Sequence, residues 1–130
     1  GGVLATVELR EEPNPWDDAL RPLIARFSTN RHFHPYDLIE ELSERRLFQE
    51  IGRRRTAPVT FSQSVAAYVE SFHARNGFSR DRMAPEDAVA FDAAVERLVA
   101  PHAEDGSVSL RIAGEVVWGR PAPLATKRVP

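Results

Sequence analysis

A chain of 130 residues with 42% hydrophobic and 28% charged side chains and a formal net charge of -2 has the make-up of one globular domain. At this length roughly two-thirds of the unfolded surface is buried on folding, so a real core is possible. The charge balance excludes a bulk electrostatic pull toward nucleic acid or anionic lipid. The absence of cysteine excludes disulfides, thiolate nucleophiles and cysteine metal sites, and no apolar run reaches the length of a membrane span or a signal peptide.

The chain opens directly into an apolar run, Gly1-Gly2-Val3-Leu4, which reads as a cut inside a larger fold. Lys127 is the only lysine among 17 basic residues, a bias in keeping with a GC-rich bacterial genome. Val3 to Leu9 reads as a strand, and its near-continuous apolar run suits burial on both faces. Residues 10–15 are loop, because Pro13 and Pro15 lack donors and restrict their neighbours. Trp16, Leu20, Leu23, Ile24 and Phe27 recur at helical spacing behind Asp17 and Asp18, with Pro22 forcing either a late start or a kink. After a loop over 28–34, Pro35 takes a first-turn position. Leu38, Ile39 and Leu42 form the stripe of a second helix, closed by Arg45 and Arg46.

Leu47 to Thr56 reads as a second strand, weakened by Gly52 and the arginines that follow, near a sheet edge. Thr60-Phe61-Ser62-Gln63 resembles a capping box, which predicts a helix over 62–76 with the stripe Val65, Tyr68, Val69 and Phe72, ended by Gly77. A loop over 77–84 leads to Pro85, Glu86 and Asp87, the start of a helix whose stripe is Ala88, Phe91, Val95, Leu98 and Val99 and which Pro101 stops. Asp105-Gly106 supplies a turn before Ser107–Trp118, where Val108, Leu110, Ile112, Val116 and Trp118 share one strand face and Gly114 marks a bulge or close contact. Residues 119–130 carry three prolines and read as a tail.

The helix over 62–76 holds the densest set of functional side chains. Tyr68, Phe72 and Arg75 fall on one side at i, i+4 and i+7, and His73 flanks the other edge of the stripe. The set suits a pocket wall with His73 as base or donor and Arg75 holding an anion; it also suits an amphipathic helix with a polar rim. Asn14 and Trp16 follow the carboxyl end of the first strand, where ligands sit in open α/β sheets, although Trp16 equally suits a core anchor. His32-x-His34 lacks a third metal ligand at fitting spacing. Arg53-Arg54-Arg55 alternates faces on a strand, so it forms no single phosphate-binding patch. No G-x-G, G-x-S-x-G or H-E-x-x-H pattern occurs.

Taken in larger pieces, the opening GGVLATVEL resembles the start of the fifth strand of the class I S-adenosylmethionine-dependent methyltransferases, where a Pro-Gly-Gly turn commonly leads in. HPYDLIEELSERRLFQEI resembles that family's next helix and sixth strand. AAYVESFHARNGFSRDRM with FDAAV resembles an inserted helical segment of bacterial members of the type 11 and related subgroups. SVSLRIAGEVVWGRP resembles the terminal seventh strand. The resemblance implies an α/β fold: the C-terminal part of a Rossmann-like methyltransferase over 1–118, with an inserted helical acceptor-side segment at about 60–102. It implies a three-stranded mixed sheet, the first and second strands parallel and the last antiparallel between them, with about four helices.

By the same resemblance the methyl donor S-adenosylmethionine is bound mainly by a missing N-terminal half, with no cofactor-binding residue and no metal on this chain. A small-molecule acceptor attacks the methyl group in line. Asn14, Trp16, Tyr68, Phe72 and Arg75 bind the acceptor, and His73 is the base. The implied setting is cytoplasmic, without nucleic-acid or membrane partners, and the uncovered flank of the first strand invites self-association. Two other readings stand beside it: a small non-catalytic α/β binding or interaction module, and a subunit that completes a partner carrying the cofactor half.

Overall fold

The computed structural model describes residues 1–122. In chain order these form β1 (Leu4–Glu11), α1 (Asp17–Phe27), α2 (Leu38–Glu44), β2 (Phe48–Arg55), β3 (Val59–Ser64), α3 (Val65–Ser71), α4 (Pro85–Val99) and β4 (Ser107–Pro121). Single 3₁₀ turns follow α3 at Phe72–Ala74 and Asn76–Phe78, and one follows α4 at Ala100–His102. Of the tail expected over 119–130, Gly119–Pro121 instead complete β4, and residues 123–130 lie outside those described.

The sheet corrects the expected fold class. Its order is β1-β4-β2, with β3 also pairing on β4, and it is a four-stranded antiparallel sheet. The three-stranded mixed sheet of a Rossmann-like fold is therefore not what these residues build. The missed strand is β3, which the capping-box reading had assigned to a helix start. Residues 59–62 alternate apolar and polar, and Ser62 Oγ meets Ser109 Oγ at 2.9 Å. The cap falls instead on Ser64, whose side chain accepts the Ala67 N–H at 3.0 Å. A serine one turn later thus takes the helix, and the stretch before it is free to satisfy its backbone in a ladder.

The chain divides into two compact units. The first comprises Gly1–Arg10, His34–Pro58 and the residues from Ile112 onward. Here β2 runs antiparallel to β4 from Phe48 opposite Pro121 to Arg55 opposite Glu115, with an irregularity between Glu50 and Gly52 that leaves Ile51 without a partner. Two glycines fit the strands together. A Cβ on Gly52 would stand 2.2 Å from the Trp118 indole, and one on Gly119 would stand 2.1 Å from the Gln49 carbonyl oxygen. Helix α2 starts later than Pro35, because the Asp37 side chain accepts the Glu40 N–H at 3.0 Å and so caps it. That bond holds the Asp37 carboxyl below its ordinary value. β1 is an edge strand, and in place of burial on both faces it shows Val7 at 77% and Leu9 at 79% exposure.

The second unit comprises Glu11–Phe33 and Val59–Arg111. Its core is aromatic: Phe72 packs edge-on against Tyr68, Phe78 and Phe91, and Phe27 reaches Phe91 from α1. Helix α4 opens on Pro85, Glu86 and Asp87 and buries Ala88, Phe91, Val95 and Val99 at i, i+3, i+7 and i+11. Pro22 lies within α1, which starts at Asp17 and continues past it to Phe27. Asp105 and Gly106 both take positive φ, 50° and 74°, and Glu104 and Ser107 exchange two 2.9 Å backbone bonds across them, the two-residue hairpin that Asp-Gly favours. The buried row of β4 shifts phase along its length: Val108 and Leu110 are buried in this unit, Ala113 and Val117 in the other. A single alternating face from 108 to 118 is thus corrected.

The glycine contacts give a paired stability prediction. Gly119→Ala drives a methyl group into a backbone carbonyl that cannot rotate away, and is expected to destabilise by about 1–3 kcal/mol. Gly114→Ala meets only Thr56 at 3.6 Å and beyond, and is expected to stay within about 0.5 kcal/mol of the parent in urea unfolding.

Candidate functional site

The site lies in the second unit and starts where β1 ends. Pro13 and Pro15 bracket Asn14, whose carbonyl accepts the Asp17 N–H at 3.1 Å in the turn that leads into α1. The Asn14 N–H donates to Asp17 Oδ2 at 2.8 Å, and its side-chain amide donates to Glu11 Oε1. Asn14 therefore fixes two carboxylates, one on each side of itself. Trp16 is buried, and its indole N–H donates to the Tyr68 hydroxyl oxygen at 2.9 Å. Its ring meets Tyr68 edge-on with centroids 5.7 Å apart and lies 5.5 Å from His102.

From α3, Tyr68 stands over Phe72, which is fully buried. The Arg75 guanidinium lies 4.4 Å above the Phe72 ring centre, a cation–π contact. Burial pushes the Tyr68 phenol above its ordinary value of 10.0, so it keeps its proton at neutral pH. Its oxygen already accepts from Trp16, and the hydroxyl proton remains available to a third group.

These residues border a cleft of about 250 Å³, lined by Glu11, Glu12, Asp17, Leu20, Arg21, Ile24, Tyr68 and Arg75. Of the expected acceptor residues, Tyr68 and Arg75 form its wall. Trp16 holds Tyr68 in place, Asn14 holds Glu11 and Asp17, and Phe72 carries Arg75. Sequence reasoning missed the rest of the lining, although a signal existed: Asp17, Leu20, Arg21 and Ile24 recur at i, i+3, i+4 and i+7, one face of α1.

His73 belongs to a different cluster. Its Nδ1 lies 2.7 Å from the Phe78 carbonyl oxygen and its Nε2 2.6 Å from Asp92 Oδ1, and its side chain is 3% exposed. Both ring nitrogens thus already face oxygen partners. Any proton transfer by His73 to a substrate requires one of these bonds to break. Arg80 lies 3.5 Å from the other Asp92 oxygen and forks onto Glu70. That hydrogen bond from Arg80 holds the Glu70 carboxyl below its ordinary value of 4.5.

The remaining candidates stand apart from the cleft. His32 and His34 are exposed, and among the described residues no three His, Asp or Glu side chains are grouped as metal ligands. In the first unit Arg53 pairs with Glu50 and Glu115, and Arg53, Arg54 and Arg55 face Val117, Val116 and Glu115 along β4. No protein-family model matches the chain, and no curated protein matches it.

Two measurements check the His73 cluster. Asp92→Asn weakens a part-buried charge-assisted bond and is expected to cost about 1.5–3 kcal/mol in chemical unfolding. The Glu70–Arg80 pair has a pH signature. Glu70 releases its proton more readily folded than unfolded, so its contribution is present above pH 4.5 and fades as pH falls below that. The stability difference between the parent and Glu70→Gln is expected to shrink between about pH 6 and about pH 3.

Proposed function

We propose that this chain is the acceptor-binding portion of an S-adenosylmethionine-dependent methyltransferase acting on a small molecule. The observation that carries the reading is the convergence on one cleft. Five side chains that the resemblance implies for acceptor binding, from two segments some fifty residues apart, either line it or hold its lining. In this reading Tyr68 and Arg75 contact the acceptor, and Asn14, Trp16 and Phe72 are positioning residues.

In this reading the methyl donor is held by residues beyond this chain, and the residues of this cleft bind and orient the acceptor alone. On the same reading the free edge of β1 is where the donor-holding portion pairs, and the protein works in the cytoplasm. Among the described residues no helix is long and apolar enough to cross a membrane.

One observation favours the second reading, a non-catalytic binding module: the histidine implied as base is bonded at both nitrogens and does not line the cleft. The reading frame upstream of Gly1 separates the two. It is expected to encode a Gly-rich loop after a strand and an acidic residue ending the next. The protein expressed from that full frame is expected to move a radiolabelled methyl group from S-adenosylmethionine to a small-molecule fraction, with Tyr68→Phe lowering kcat/KM by about tenfold. A frame without such a loop, or a full-length product inert toward every small-molecule fraction, overturns the methyltransferase reading in favour of the module.

A further inference from the structure

Resting on the assignment of this cleft as the acceptor site, the charges around it narrow the chemistry of what enters. Glu12 pairs with Arg111 at 3.2 Å, and Arg21 with Asp18 at 3.0 Å, both at the exposed rim. Glu11 and Asp17 are bonded only through the neutral amide of Asn14, and among the described residues neither meets a cation in an ion pair. Arg75 has no carboxylate partner among the described residues, and its guanidinium carbon lies 4.4 Å over the Phe72 ring centre. The Tyr68 hydroxyl has a proton to donate on the same wall as Arg75. Leu20 and Ile24 are the apolar residues of the lining.

We infer that the cleft takes a short amphoteric molecule, with a carboxylate received by Arg75 and the Tyr68 hydroxyl and a protonated amine facing Glu11 and Asp17. A guanidinium fork and a neutral phenol both donate, which suits carboxylate oxygens. Two carboxylates already held by an amide only accept, which suits an ammonium group. A ligand with one charge alone leaves the opposite set uncompensated in a partly desolvated cleft, and that cost is what discriminates. A cleft of about 250 Å³ suits a molecule of amino-acid size.

The test is titration calorimetry of this chain with straight-chain ω-amino acids from glycine to 6-aminohexanoate, beside butylamine and butyrate. At least one member of the series is expected to bind, with both single-charge analogues about tenfold or more weaker. Arg75→Gln is expected to remove the preference for the amino acid over butylamine, and Asp17→Asn the preference over butyrate. Circular dichroism confirms that each variant is folded, and Arg75→Lys, which keeps the charge, is expected to retain most of the binding. Failure of every amino acid to bind, equal binding of a single-charge analogue, or selectivity unchanged in both variants overturns the inference. The assay involves no methyl transfer. Transfer by the full-length protein without amphoteric binding would sink this ligand class and leave the proposed function standing, and binding without transfer would do the reverse.

Discussion

The indole N–H of Trp16 is buried in the second unit and is satisfied by the phenol oxygen of Tyr68. Leaving such a donor unpaired costs about 1–3 kcal/mol, so α1 cannot enter the unit without bringing the first turns of α3 against it. Tyr68 then stands edge-on to Phe72, and Phe72 to Phe78 and Phe91. Each such contact adds about 0.5–1.5 kcal/mol beyond burial. The bond also decides the chemistry of the cleft: an oxygen that accepts inward leaves its proton to face outward. The packing and the donor that the cleft wall presents are thus set by one atom pair.

The electrostatics of the second unit divide into two kinds. Arg80 with Glu70, Arg21 with Asp18 and Arg111 with Glu12 are exposed pairs whose screening by water limits them to small contributions. Around the cleft the pattern differs: Glu11 and Asp17 are held by an amide, and Arg75 by an aromatic face. Neither arrangement cancels charge. Groups kept in place without being neutralised keep their capacity for a ligand, which is how a rigid wall retains affinity.

Much of this was legible in the residues. Periodicity placed α4 from its Pro-Glu-Asp opening, β4 from its alternation and the Asp-Gly turn before it, because those signals are local and chemically specific. The capping box at Thr60 failed for an equally local reason: Ser64 offers the same cap, and the competing ladder with β4 depends on a residue some fifty positions away. The sheet class failed with it, since one strand read as helix removes a partner from the sheet. Along the cleft, helical spacing groups Tyr68 with Arg75 but does not bring in Asp17 and Glu11, because an asparagine in a proline-flanked loop aims them. His73 shows the opposite limit. Its residue type suggested chemistry, and only the positions of the Phe78 carbonyl and Asp92 revealed that its nitrogens are occupied.

The two glycines between β2 and β4 act as a steric key. Gly52 lies under the flat of the Trp118 ring, and Gly119 lies against the Gln49 carbonyl. Sliding β2 by one residue would put Ile51 or Arg53 beneath the indole, and sliding β4 would press Trp118 or Arg120 into the carbonyl. In the observed alignment the two closest approaches fall on residues without side chains, so shape favours this register over its one-residue neighbours. The arginine run of β2 owes its fixed orientation to residues that have no side chain at all.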